Sequence, residues 1–115
     1  MDLDAIRADL EQIVREADAT IAVLEAEEAE EAIEVQDHNA EDSASDITEA
    51  DREDALIDAA LARKTEAEEA LKRLEVGTYG ICVDCGKPIA EERLLFRPEA
   101  ARCLADQELF EEREP

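Results

Sequence analysis

Three cysteines and one aspartate limit this chain more than anything else in it. Cys82-Val-Asp-Cys85-Gly is followed 17 residues later by Cys103-Leu-Ala-Asp106, and no other cysteine exists. The pattern C-x2-C-x17-C-x2-D has the spacing of a four-ligand zinc site whose last thiolate has become a carboxylate. Cys-x2-Cys sets two thiolates on one turn. Asp106, three residues beyond Cys103, falls on the same side of a helix. One structural zinc ion is expected, held by Cys82, Cys85, Cys103 and Asp106. A carboxylate in place of a thiolate makes the site harder and weaker. Gly77, Gly80 and Gly86 supply the tight turns that such a knuckle requires.

Upstream of the cysteines the chain reads as helix. Leu3, Ile6, Leu10, Ile13, Ala17, Ile21 and Leu24 recur at steps of three and four, one apolar stripe close to a heptad seam. Asp2 is placed to cap this helix, which runs to about Gln36 and thins into Glu-rich sequence with Ile33 and Val35 as its last apolar members. Residues 37–45 are rich in Asp, Asn and Ser, which compete for backbone hydrogen bonds and favour a turn. His38 is expected there as a solvent-exposed turn residue. Asp46-Ile-Thr-Glu49 offers a variant capping box. A second helix then runs to about Val76, its apolar side formed by Ile47, Ala50, Ile57, Ala60, Leu61, Ala67, Leu71 and Leu74, with Gly77 as its stop. Two long helices joined by a short turn pair antiparallel. Beyond the knuckle, Ile89, Leu94, Leu95 and Phe96 are expected to form a small apolar patch. A short helix from Cys103 to about Arg113 docks back through Leu104 and Phe110.

The fold class is therefore mainly α. Residues 1–76 form a long antiparallel coiled-coil hairpin with its tip at about 37–46, and residues 77–115 form a zinc knuckle with a short C-terminal helix. With only three aromatics among 115 residues, coiled-coil packing plus a metal-stapled module fits better than a large globular core.

Charge narrows the function. A net charge of −22 opposes direct DNA binding, which needs cations to neutralise phosphates, and opposes adsorption on anionic membranes. A basic protein surface is the natural partner. Residues 25–54 hold 14 acids and one base, Arg52, so the acidic end of the hairpin carries the turn. Arg93, Arg97 and Arg102 are local cations, expected to pair with Glu91, Glu92 and Glu99 or to serve as an anion contact. No run of about 18 apolar residues is present to span a membrane, and Met-Asp-Leu-Asp lacks the features of a signal peptide. Paired cysteines without an export signal suit metal binding in a reducing cytoplasm. No catalytic constellation stands out, and an enzyme is not expected.

The run Gly77-Thr-Tyr-Gly-Ile-Cys82-Val-Asp-Cys85-Gly-Lys-Pro-Ile-Ala-Glu-Glu-Arg93-Leu, followed by Arg97-Pro98 and Cys103, resembles the zinc-finger signature of the DksA/TraR family. The likeness extends weakly over the whole chain. The globular segment that precedes the hairpin in full-length members is expected to be absent, because the apolar stripe starts at Leu3. The resemblance implies a bacterial transcription regulator that binds RNA polymerase rather than DNA. The hairpin would enter through the secondary channel, so that its tip approaches the catalytic centre.

The family's tip motif, D-x-x-D-x-A, falls on Asn39-Ala-Glu-Asp42-Ser-Ala44, with Asp42 and Ala44 matching and Asn39 keeping the shape without the charge. Some members act together with ppGpp through basic residues. Here Arg97 keeps one such position, while Glu66 and Gln107 occupy two others. Little or no ppGpp dependence is expected. A reading from another class is a zinc-binding adaptor whose acidic hairpin pairs with a different basic protein or with a second copy.

Overall fold

The computed structural model describes the backbone of residues 1–37 and 47–113, and side chains over 1–30 and 51–113. The expected tip residues Asn39, Asp42 and Ala44, with His38 and the Asp46 cap, lie outside the described residues, as do the side chains of Ile33, Val35, Ile47 and Ala50. Four helices follow in order: α1 (Leu3–Asp37), α2 (Ile47–Val76), α3 (Glu91–Phe96) and α4 (Leu104–Arg113). No strand occurs among the described residues, and a single antiparallel bridge joins Ile81 to Pro88. The mainly α, hairpin-plus-knuckle architecture is the one the sequence predicts.

Local chemistry sets the helix ends. Asp2 Oδ1 accepts from the backbone amides of Asp4 and Ala5 at 3.1 and 3.2 Å, satisfying two of the donors that a helix N-terminus leaves without partners. At the far end of α2, Gly77 adopts φ +81° and the Thr78 amide donates to Arg73 O at 2.9 Å. That six-to-one bond is a Schellman cap, and glycine takes its left-handed position without steric penalty.

α1 and α2 run antiparallel. Asp18 meets Lys64 at 2.8 Å and Glu28 meets Asp54, so ten residues forward along one helix match ten residues back along the other. Ile6, Leu10 and Ile13 interlock with Ala67 and Ala70, and Val14, Leu71, Leu74 and Tyr79 close around them. Small alanines on α2 let the larger side chains of α1 approach as knobs into holes. A second, smaller core lies in the knuckle, where Cys82, Ile89, Leu94 and Ala100 pack with Tyr79 and Cys103. Tyr79 belongs to both clusters and its hydroxyl donates to Pro98 O at 2.8 Å, so one side chain joins hairpin to knuckle.

Several expectations need correction. The patch foreseen around residues 89–96 is half right: Ile89 and Leu94 are buried, but Leu95 and Phe96 are exposed. Within a six-residue helix only one side can face the core, and Leu94 takes it. Leu104 is exposed and does not dock. Phe110 does dock back: the Arg102 guanidinium lies 4.0 Å from its ring centre, and the ring lines the cavity between hairpin and knuckle. Leu3 and Leu61 are also exposed: Leu3 sits in the first turn, and Leu61 is not among the side chains packed in the hairpin core.

Candidate metal centre

Cys82 and Cys85 occupy a tight loop closed by backbone. The Cys82 amide donates to Lys87 O at 2.8 Å, and Gly86 N donates back to Cys82 O at 3.0 Å. Gly86, at φ +73°, turns the chain immediately after Cys85. The other pair comes from the start of α4. Gln107 N donates to Cys103 O at 2.9 Å, which makes Cys103 the residue preceding the first helical turn, with Asp106 in that turn. Backbone amides there favour negative charge.

Two contacts hold the two segments in register, and a third ties α3 to the second segment. Val83 N donates to Ala101 O at 2.9 Å, Arg102 Nε donates to Asp84 Oδ2 at 2.7 Å, and Arg93 Nε donates to Arg102 O at 3.0 Å.

The outcome is a cluster of four donor atoms, all within 4.8 Å of one another. Asp106 Oδ2 lies 3.1 Å from Cys82 Sγ and 3.3 Å from Cys103 Sγ, and the Cys85 and Cys103 sulfurs are 4.0 Å apart. Tetrahedral zinc with bonds of about 2.3 Å to sulfur and about 2.0 Å to oxygen implies sulfur–sulfur edges of about 3.8 Å and sulfur–oxygen edges of about 3.5 Å. The observed distances fit one such ion. Burial works against the Cys82 thiolate, but backbone hydrogen bonds from Cys103, Cys85 and Asp84 outweigh it, and its pKa is lowered. The three thiols donating to Asp106, Cys82 first, lower the carboxyl pKa as well. Cys82 is buried, Cys85 exposed, and Cys103 and Asp106 between the two.

A second feature lies where hairpin meets knuckle. A cavity of about 170 Å³ is lined by Arg73, Arg93, Arg97 and Arg102, with Glu66, Glu69, Glu99 and Gln107 among its other residues. The structure thus brings together Arg97, Glu66 and Gln107, which the sequence reading had linked. Arg97 Nε donates to Glu99 Oε1 at 3.3 Å, one of the expected intramolecular pairs. Arg93 and Arg102 bond elsewhere, as above. Burial raises the Glu66 pKa first of all, with Glu99 and Glu69 adding to it against Arg97 and Arg63. Sequence reasoning missed Arg73, although it follows Glu66 and Glu69 at seven and four residues on the same helix face.

An antiparallel helical hairpin rooted in a compact Cys3Asp knuckle defines a zinc-finger coiled-coil protein. Residues 77–112 match the family described as prokaryotic dksA/traR C4-type zinc finger. The chain is 34% identical over 105 residues to the RNA polymerase-binding transcription factor DksA of two Caulobacter vibrioides strains, NA1000/CB15N and ATCC 19089/CB 15, covering 90% of this chain and 69% of each relative. The solved structure of transcription factor DksA2 from Pseudomonas aeruginosa superposes with a TM-score of 0.65 at 30% identity, over 96% of this chain and 86% of that one. The chain belongs to the DksA/TraR family.

Proposed function

We propose that this protein is a cytoplasmic regulator of bacterial RNA polymerase, acting by insertion of its hairpin through the secondary channel. One observation carries the reading: the likeness to the Caulobacter polymerase-binding factor runs through hairpin and knuckle together, over 90% of the chain. α1 alone, at 35 residues, is about 50 Å long, a reach suited to a probe held at its base. Among the described residues no helix is long and apolar enough to cross a membrane, and the net charge of −22 disfavours nucleic acid as the direct partner.

The parts divide the work. Cys82, Cys85, Cys103 and Asp106 would hold one zinc ion. When bound, zinc supplies a structural cross-link between the 82–85 loop and the start of α4, with no catalytic role. Tyr79 transmits that rigidity to the base of the hairpin. Asn39, Asp42 and Ala44 act at the tip, where Asp42 presents the charge that Asn39 lacks. Arg97, with Glu66 and Gln107 where further cations would be needed, leaves ppGpp weakly held or unheld.

The test uses purified core polymerase and a responsive promoter in transcription assays. Asp42→Asn should abolish the effect while leaving polymerase binding intact, and Asn39→Asp should strengthen it. Absence of polymerase binding at low salt would sink the proposal.

A further inference from the structure

Arg102 ties three parts of the molecule together. Its Nε donates to Asp84 Oδ2 at 2.7 Å, and its carbonyl accepts from Arg93 Nε at 3.0 Å. Its guanidinium lies over the Phe110 ring, 4.0 Å from the centre. The 82–85 loop, α3 and α4 therefore meet at one residue. Among the described residues Arg102–Asp84 is the one ion pair between the two halves of the knuckle. The Arg102 side chain is 22% exposed and that of Asp84 46%. A pair so open to water adds little stability by itself, so its weight lies in orientation.

The two partners bracket the metal ligands. Asp84 precedes Cys85 and Arg102 precedes Cys103, and the sulfurs of those cysteines are 4.0 Å apart. Ion pair and sulfur–sulfur edge close the same gap from adjacent residues. One residue further back on each segment, the Val83 amide donates to Ala101 O at 2.9 Å.

The stack on Phe110 reaches the fourth ligand. Phe110 follows Asp106 by four residues on α4, so the two share a helix face. Holding Phe110 against the guanidinium holds the Asp106 carboxylate toward the cysteines. None of the ten residues of α4 is buried, so core packing does not set the direction of this helix. Arginine suits the position because its planar group donates in the plane and stacks through its face. A lysine ammonium keeps the charge but cannot do both in one geometry.

We propose that Arg102 is the positioning residue of the metal centre, a clasp to Asp84 and Phe110 that orients α4 and presents Asp106 to the three cysteines with or without bound metal. Metal loss then loosens the knuckle without scattering its donors. Zinc is taken up by a cluster already assembled, so less of its binding energy goes into ordering the chain. A carboxylate serves in the fourth place because its position is fixed in advance. The clasp involves no contact with polymerase, and it stands or falls separately from the polymerase reading.

The experiment strips the full chain of metal and refills it with zinc or cobalt(II). Competition with a chromophoric chelator gives zinc affinity, and stopped-flow mixing gives the rates of uptake and release. Asp84→Ala and Arg102→Leu should each lower zinc affinity about tenfold, chiefly through slower uptake. The double variant should be little worse than Arg102→Leu alone, because both changes break one contact. Arg102→Lys should fall between Arg102→Leu and the unaltered chain. At saturating cobalt(II) the absorption bands of all these variants should match those of the unaltered protein, since no ligand is removed, whereas Asp106→Ala should shift them. Circular dichroism checks the hairpin in each variant. Should Arg102→Leu fail to fold, Asp84→Ala, which keeps residue 102 and its stack, carries the same comparison. Zinc affinity within about twofold of the unaltered chain, additive losses in the double variant, a loss expressed only as faster release, or cobalt bands that shift as in Asp106→Ala would each overturn the clasp.

Discussion

Cys82 and Asp106 lie 24 residues apart in the chain, yet the Cys82 sulfur and the Asp106 Oδ2 are 3.1 Å apart. That closeness makes the aspartate a member of the knuckle rather than a bystander beside three cysteines. An oxygen ligand is harder than the thiolate it replaces, so zinc should be held but less tightly than by four sulfurs.

The Asp106 variants follow directly. Asp106→Ala should lower zinc affinity at least about tenfold and Asp106→Cys should raise it, read by competition with a chromophoric chelator. Removing the metal from the unaltered protein should loosen residues 77–113 while the hairpin keeps its helicity, because zinc binding supplies folding energy only to the small module. Hydrogen exchange resolves the two regions. Equal zinc affinity in Asp106→Ala would show that the carboxylate is not a ligand.

The hairpin depends on its own core. Leu10 is fully buried between alanines that cannot collapse to refill its space. Leu10→Ala should therefore cost about 2–5 kcal/mol in urea unfolding. Phe96→Ala, at an exposed position, should stay within about 0.5 kcal/mol.

Tyr79→Phe removes the hydroxyl that reaches Pro98 O and leaves the ring in both clusters. A loss of about 1 kcal/mol is expected. The cost should appear as faster exchange at the hairpin–knuckle junction rather than at mid-hairpin. Burial raises the Tyr79 pKa to about 12, so the hydroxyl remains a donor at every working pH.

Much of this was legible in the sequence. The stripe from Ile6 to Ala17, the Asp2 cap and the Gly77 stop rest on local chemistry that needs no tertiary context, and the Cys3Asp spacing presaged the cluster. Residues 89–96 were harder. α3 is under two turns long, too short for periodicity to separate Leu94, which is buried, from Leu95 and Phe96, which are not. Leu61 misled for a related reason: α2 is apolar on more than one side, so composition does not reveal which side meets α1. Arg73 lines the junction cavity with Arg93, Arg97 and Arg102, which lie 20 to 29 residues further along the chain, a long-range placement with no local signal.

The acidic half of the hairpin should respond to pH. The Glu28 pKa is raised to about 7, first by its hydrogen bond with Asp54, then by burial and the charges of Asp54, Glu53 and Glu25. Its folded value lies above the unfolded one, so the folded state binds the extra proton. The part of the stability that Glu28 contributes is then fully present below about pH 4.5 and is lost as pH rises through 7. Relative to the intrinsic rise of amide exchange with pH, protection at residues 22–30 and 51–58 should fall between pH 5.5 and about 8, and Glu28→Gln should flatten that fall. Protection that stays constant across this range would contradict the raised Glu28 pKa.

The central claim is that a zinc-loaded hairpin engages RNA polymerase. Native mass spectrometry of the cytoplasmically expressed protein, mixed with core polymerase at low ionic strength, reads metal content and association at once. One zinc per chain and a one-to-one complex with polymerase are predicted. A zinc-loaded chain that stays free of polymerase under those conditions would contradict it.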